Sequence, residues 1–331
     1  MKKLVTTVQS VSLLSLILIS MLACGEKKAE TVPLDEETAT AVVFDADSAM
    51  SFLMAQCDLG PRTPGSEAHR KCGDYMKSQF SQYGLEVVEQ TAPITMWDGK
   101  TFQCRNIIAA YKPDAEERIV LCTHYDSRPW CDHDADASKH NEPVMAANDG
   151  ASGVAVLLEV ARKLGELNPS VGIDFVCFDL EDYGVPQGHP TSSDDGSSWC
   201  QGSRYWATHP HRENYSPVFG VLLDMVGGKG ARFAHEYYSM QYAAPVVARV
   251  WSAARTAGFS DVFIDQEGGA VTDDHLNMNA AGIPTIDIIS YYGEQGGFGP
   301  TWHTAQDTPE NIDPATLRAV GQTLLQMLAD Y

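Results

Sequence analysis

Three short runs with little polar interruption constrain this chain more than any other feature: residues 118–122 (Arg-Ile-Val-Leu-Cys), 171–178 (Val-Gly-Ile-Asp-Phe-Val-Cys-Phe) and 218–223 (Val-Phe-Gly-Val-Leu-Leu). Strands that are apolar on both sides, rather than alternating, belong in a sheet covered on both faces. Between the first two, residues 151–165 place Val154, Leu157, Leu158, Ala161 and Leu164 at helical spacing. Strand and helix alternate, which predicts an α/β fold: a single domain with a mostly parallel central sheet and helices on both faces. In open sheets of this kind ligands bind at the carboxyl ends of the strands. The residues that follow the three runs there are His124, Glu181-Asp182 and Asp224.

At 331 residues, 44 % apolar and 20 % charged, the chain suffices for one large domain with a sizeable core. Helices are expected over 46–57 and 66–83, parted by Gly60-Pro61-Arg62-Thr63-Pro64-Gly65, and strands near 85–93 and 103–111. Further on come a helix over 241–256, a short helix from 273, a strand over 283–289 and a closing helix over 313–330. With 23 Lys and Arg against 44 Asp and Glu the net charge is −21. Such a field argues against nucleic acid and anionic membrane surfaces as partners.

Residues 1–24 read as an export signal: Lys2-Lys3 give a positive start, Val11 to Met21 an apolar stretch, and Met21-Leu22-Ala23-Cys24 a small-residue cleavage site. The ending resembles a bacterial lipobox, which implies a lipid on Cys24, attachment to a membrane through it, and a protein facing the periplasm. A plain secretory signal in which Cys24 is incidental is the alternative. Polar residues 25–44 read as a flexible tether, and 45–331 as the folded domain. Export permits disulfides among Cys57, Cys72, Cys104, Cys122, Cys131, Cys177 and Cys200, an odd number. Cys131 and Cys200 stand in polar insertions, where a bridge between them is one option.

Two more segments extend the series of metal-capable side chains: Asp149 in Asn-Asp-Gly and His303 in Trp-His-Thr. One acid at a strand end is ordinarily a helix cap or a surface group. Five such segments in order are harder to explain that way, because burying these carboxylates together without a cation is costly. A mixed imidazole and carboxylate set suits zinc. Two insertions, 126–146 and 184–202, grow from the same sheet edge. The acids of the first (Asp126, Asp132, Asp134, Asp136) read either as a solvated loop or as a further cation site, and His133 and His140 as surface groups.

Residues 118–127, 147–159, 178–184, 220–227, 272–287 and 302–313 together resemble the zinc aminopeptidase superfamily, and within it the bacterial glutaminyl-peptide cyclotransferases, or glutaminyl cyclases. The Asp273-Asp274-His275 cluster and Arg128-Pro129 look like the cyclase branch. The resemblance implies one Zn²⁺ held by Asp149, Asp182 and His303, with Glu181 as proton shuttle. It implies an acid pair, Asp224 and Asp273, beside the substrate, and Trp302 lining the pocket. Asp182 stands where Glu is commoner, which leaves open which acid of the 181–182 pair ligates. A second pocket tryptophan has no match at the usual offset, and Trp199 and Trp206 are its candidates. The implied reaction converts the N-terminal glutamine of peptides or proteins to pyroglutamate with release of ammonia. A two-zinc aminopeptidase stays open, since His124 and Asp224 would hold a second ion bridged by Asp149. A metal-free peptide-binding ectodomain is a third reading, against which the presence of Glu181 argues.

Overall fold

A computed structural model describes residues 39–190, 195–291 and 297–331. The segments read as a leader, with Cys24, and as a tether, as far as residue 38, lie outside the described residues, as does part of the second insertion, 191–194. Residues 40–44, expected to belong to a flexible tether, are instead packed on the folded domain. Val42 and Phe44 are buried, and the backbone N–H groups of Thr40 and Phe44 donate to the Gln326 and Gln322 side chains at 2.7 and 2.8 Å.

Helix α1 (Ala46–Cys57) is capped by Asp45, which accepts from the N–H groups of Asp47 and Ser48, and α2 (Glu67–Gln82) by Ser66, which accepts from that of His69. A hairpin of β1 (Glu86–Thr95) and β2 (Thr101–Tyr111) follows. Then come β3 (Arg118–His124), α3 (Ala151–Leu167), β4 (Gly172–Phe178), α4 (Gln201–Thr208) and β5 (Phe219–Asp224). The chain continues through β6 (Phe233–His235), α5 (Tyr237–Thr256), β7 (Phe263–Glu267), α6 (Asp274–Ala280), β8 (Thr285–Ile289) and α7 (Pro314–Leu328).

Six strands form one sheet in the order β1-β2-β4-β3-β5-β8, with β4, β3, β5 and β8 mutually parallel and β2 antiparallel to both its neighbours. Every residue of β3, β4 and β5 is buried, as their continuous apolar character requires. Successive strand residues face opposite ways. Ile119, Leu121, Ile173, Phe175, Val221 and Leu223 join a core with Val154, Leu158 and Leu324, whereas Val120, Cys122, Val176 and Leu222 pack with Trp206 and Met278. Helices therefore cover both faces. From β3 the chain crosses to β4 on one side, and from β4 it passes to β5 on the other, which opens a crevice at the carboxyl ends of these strands.

Three details depart from expectation. The second insertion runs into a helix that was not expected, α4, whose Trp206 closes the second face of the sheet. Strands β6 and β7 pair in a small parallel sheet of their own. Helix α5 begins at Tyr237 rather than 241 and is interrupted at Ala243 (φ −143°), two residues before Pro245, whose ring and missing N–H break the helical ladder. All seven cysteines among the described residues are free and buried, so Cys131 and Cys200 are not joined.

Candidate active site

At the carboxyl end of β3 the His124 Nε2 lies 3.0 Å from Asp149 Oδ1 and 3.2 Å from Asp224 Oδ1. The His303 Nε2 lies 3.4 Å from the other oxygen of Asp149, Oδ2, and 3.2 Å from Asp182 Oδ1. One carboxylate thus faces two imidazoles. Both trios, His124-Asp149-Asp224 and Asp149-Asp182-His303, are buried and bring one donor atom from each member within 4.8 Å of the others.

The segments that carry these groups are fixed by further acids. Asp126, two residues beyond His124, accepts the backbone N–H of Glu181 on Oδ1 and that of Asp182 on Oδ2, each at 3.1 Å. Asp307, four beyond His303, accepts the N–H groups of Asn148 and Asp149 at 2.7 and 3.0 Å. Gly150 follows at φ +97°, and a Cβ there would stand 3.0 Å from His124 Cε1 and 3.1 Å from the Asp126 carbonyl oxygen. The Asn-Asp-Gly turn needs its glycine for both reasons. Ala146, Leu180, Cys200, Met225 and His303 also have positive φ, so strained backbone is concentrated around the crevice.

Arg128 is buried and grips Asp132 with two hydrogen bonds of 2.7 Å, while its Nη1 donates to the Asp182 carbonyl oxygen at 3.1 Å. Asp132 Oδ1 in turn stands 3.8 Å from His303 Nδ1, behind the face the imidazole turns to Asp149. Of the acidic loop, Asp132 therefore serves the site, and Asp134 accepts the N–H of Ala305. His133 packs its ring 4.2 Å from that of Trp302, and its pKa falls to about 4 because burial and the neighbouring His303 both oppose protonation.

Electrostatics show how much positive charge this cluster demands. Burial pushes Glu181, Asp224 and Asp273 above the usual carboxylate range and Asp182 up to about 6, and the negative charges of neighbouring carboxylates push each of them in the same direction. Asp149 is the exception: against the effect of burial, hydrogen bonds from His124 and His303 hold its pKa down. Both imidazoles are raised, against burial, by the acids around them. Asp182 Oδ2 is buried with no hydrogen-bond partner. An imidazole and two carboxylates, one of them with an orphaned buried oxygen, are a donor set that fits zinc with an open position, and a divalent cation would reverse the cost of ionising these acids.

Beside the Asp149-Asp182-His303 trio opens a cavity of about 340 Å³, lined by Glu181, Asp224, Asp273, Trp199, Trp302 and Phe298 among others. Glu181 and Asp273 reach one another within a single buried cluster. Asp273 caps α6, accepting the Asp274 N–H at 2.6 Å on Oδ1, while its Oδ2 is buried without a partner. The Trp302 ring stacks on His303 at 3.9 Å, and that of Trp199 lies parallel to it at 5.9 Å. Trp206 is elsewhere. It is buried in the second core against Phe178, with its Nε1–H donating to His211 at 3.2 Å, so it lines no part of this cavity. The sequence nominated Asp126 and Asp132 only as members of an acidic loop, and Asp307 and Cys200 for no role in the site. Their single readable signal was proximity to the motif residues.

Residues 106–328 match the sequence model of Peptidase family M28. The glutaminyl cyclase of Bacteroides thetaiotaomicron, solved bound to N-acetylhistamine, is 45 % identical with a TM-score of 0.85, over 87 % of this chain and 99 % of that one. A Zn-dependent exopeptidase from Parabacteroides distasonis is 47 % identical with a TM-score of 0.85, over 88 % of this chain and 100 % of that one. The glutaminyl-peptide cyclotransferase of Bos taurus is 24 % identical over 314 residues, 84 % of this chain and 81 % of its own.

Proposed function

The chain belongs to peptidase family M28, and we propose that within that family it is a glutaminyl-peptide cyclotransferase, closing the N-terminal glutamine of peptides to pyroglutamate with one zinc ion held by Asp149, Asp182 and His303. The observation that carries this reading is the placing of Glu181, Asp224 and Asp273 on the wall of one small aromatic-lined cavity beside that trio. Zinc bound there supplies Lewis acidity toward the side-chain carbonyl of glutamine. Asp224 and Asp273 hold the α-amine against that carbonyl carbon, so that the two reacting groups of one residue meet in a fixed orientation. A free amine of pKa about 7.7 to 8.0 is already partly neutral near pH 7. As the new C–N bond forms, Glu181 takes the amine proton and delivers it to the amide nitrogen, which departs as ammonia. Trp302 and Trp199 wall the forming ring and limit access of water, which would deamidate the substrate instead.

The test is incubation of the purified protein with a Gln-initiated peptide. Stoichiometric ammonia with a peptide lighter by the mass of that ammonia supports the proposal; a peptide that has taken up water in its place, or release of free amino acids, overturns it. A second reading is favoured by one observation, the second trio His124-Asp149-Asp224, which shares Asp149 with the first. Two ions there, with Glu181 as general base toward water, would make an aminopeptidase, and the same incubation separates the two.

The leader is part of the proposal. The Met21-Leu22-Ala23-Cys24 ending, after Lys2-Lys3 and an apolar stretch, supports lipidation of Cys24, attachment to a membrane and a periplasmic location. Among the described residues no helix is long and apolar enough to cross a membrane. Incorporation of labelled fatty acid that disappears in Cys24→Ser supports lipid attachment, and unchanged labelling removes it.

A further inference from the structure

Cys200 lies outside every strand and outside both trios that share Asp149, yet its bonds converge on the proposed proton shuttle. Its thiol donates to Glu181 Oε1 at 3.2 Å, and its backbone N–H donates to the Glu181 carbonyl oxygen at 3.0 Å. The next residue, Gln201, donates its N–H to the Leu180 carbonyl oxygen at 2.9 Å. The first turn of α4 is thus strapped along the segment that carries Glu181. The Cys200 carbonyl oxygen accepts from Asn277 Nδ2 at 3.2 Å, and Asn277 lies on α6, the helix that Asp273 caps. Cys200 Sγ, a Glu181 oxygen and an Asp273 oxygen lie within 4.8 Å of one another. Cys200 itself has φ 57°, an uncommon conformation for a residue with a side chain, and is 3 % exposed.

These contacts give the thiol a definite task. A glutamate side chain turns freely about its last bond, and a shuttle that must first take a proton and then return it to a second nitrogen gains from having one oxygen immobilised. We propose that Cys200 is a positioning residue: its S–H holds Oε1 of Glu181, fixing the carboxyl so that its other oxygen serves the proton transfer, and its backbone ties Glu181 to the helix that presents Asp273. The thiol stays protonated, because burial and the carboxylate beside it both oppose ionisation, and so it remains a donor throughout.

The inference rests on the role given to Glu181, which is a base in both the cyclising and the hydrolysing reading. Turnover of a Gln-initiated peptide by the zinc-loaded wild type identifies the reaction first, and the variants are then measured on whichever reaction it performs. Failure of the functional proposal is therefore seen separately. Cys200→Ala, which removes the donor, should lower kcat about ten- to a hundredfold, in the range found for outer-shell partners, with KM and zinc content little changed. Cys200→Ser, which keeps a donor, should recover most of that loss. Wild-type kcat in Cys200→Ala, or an equal loss in both variants, overturns the inference. Should Cys200→Ala yield no folded protein, Cys200→Ser alone decides: turnover close to wild type supports a donor role, and loss of kcat with zinc and thermal stability intact overturns it.

Discussion

Glu181 and Asp182 are neighbours in the chain with opposite surroundings: Asp182 faces His303 at 3.2 Å, whereas Glu181 faces the cavity and the Cys200 thiol. Glu181→Gln should cut turnover by about 10²- to 10⁴-fold, the usual contribution of a general acid–base group, and leave zinc bound. Asp182→Asn should lose zinc. Metal analysis and kinetics on the two variants check this, and the reverse pattern would show that the roles are exchanged. A second residue-level prediction concerns His69, buried with Nε2 2.7 Å from Asp179 and its ring parallel to Tyr125 at 5.0 Å. Burial opposes its protonation, but the Asp179 charge and hydrogen bond outweigh that and raise its pKa above 6.5. A raised folded pKa stabilises fully below the unfolded value near 6.5 and is lost as pH climbs through the folded one. The difference in melting temperature between wild type and His69→Gln should therefore narrow from pH 6 to pH 9; a difference that widens would contradict the assignment. His124, Glu181-Asp182 and Asp224 were legible in sequence because each follows an apolar run, and Asp149 and His303 because they extend the same series of metal-capable side chains. Asp126, Asp307 and Cys200 were not, since their importance lies in which distant backbone groups they bind. Trp206 was misplaced because its indole N–H has His211 as a partner, which lets the ring be buried far from any substrate.

At the level of elements, the loops after β4 and before α3 are each clamped by one aspartate that spans two successive N–H groups. Asp126→Ala should leave two buried donors unpaired, a cost of about 1 to 3 kcal/mol for each. It should also weaken zinc affinity about ten- to a hundredfold through loss of alignment of Asp182. Thermal melts and competition with a chromophoric chelator read the two effects, and a variant with wild-type zinc affinity would show that the loop holds its shape alone. The apolar strands were readable because every position in them is buried, and helices such as α3 and α7 because their buried residues recur at helical spacing. Helix α4 was not. It is 8 residues long, begins in a stretch rich in Gly and Ser, and owes its place to the backbone contacts of Cys200 and the burial of Trp206. The small sheet of β6 and β7, at 3 and 5 residues, is likewise too short to declare itself by alternation.

At the scale of the whole molecule, the sheet gathers at one end a group of buried acids that burial and mutual repulsion push upward, Glu181, Asp182, Asp224 and Asp273. Metal removal should therefore be felt by the entire fold. Stripping zinc with a strong chelator should abolish turnover and lower the melting temperature, with both restored by zinc. By linkage the stabilisation is about 4 kcal/mol when free zinc exceeds its Kd a thousandfold. An unchanged melting curve after verified zinc loss would mean that the acids are accommodated without a cation. The α/β architecture and the clustering at the carboxyl ends of β3, β4 and β5 were foreseeable from the chain, whereas strand order was not, because nothing local in β2 announces that it runs against its neighbours. Asp149, set between His124 and His303, makes the two trades proposed for this scaffold differ in stoichiometry rather than in framework: a second ion lodged on the His124 side would engage Asp224, the acid that the proposed ring closure assigns to the substrate amine. Zinc in excess should then act as an inhibitor of ring closure, and an evolving lineage could pass between closing rings and trimming peptides by changing how many ions it retains.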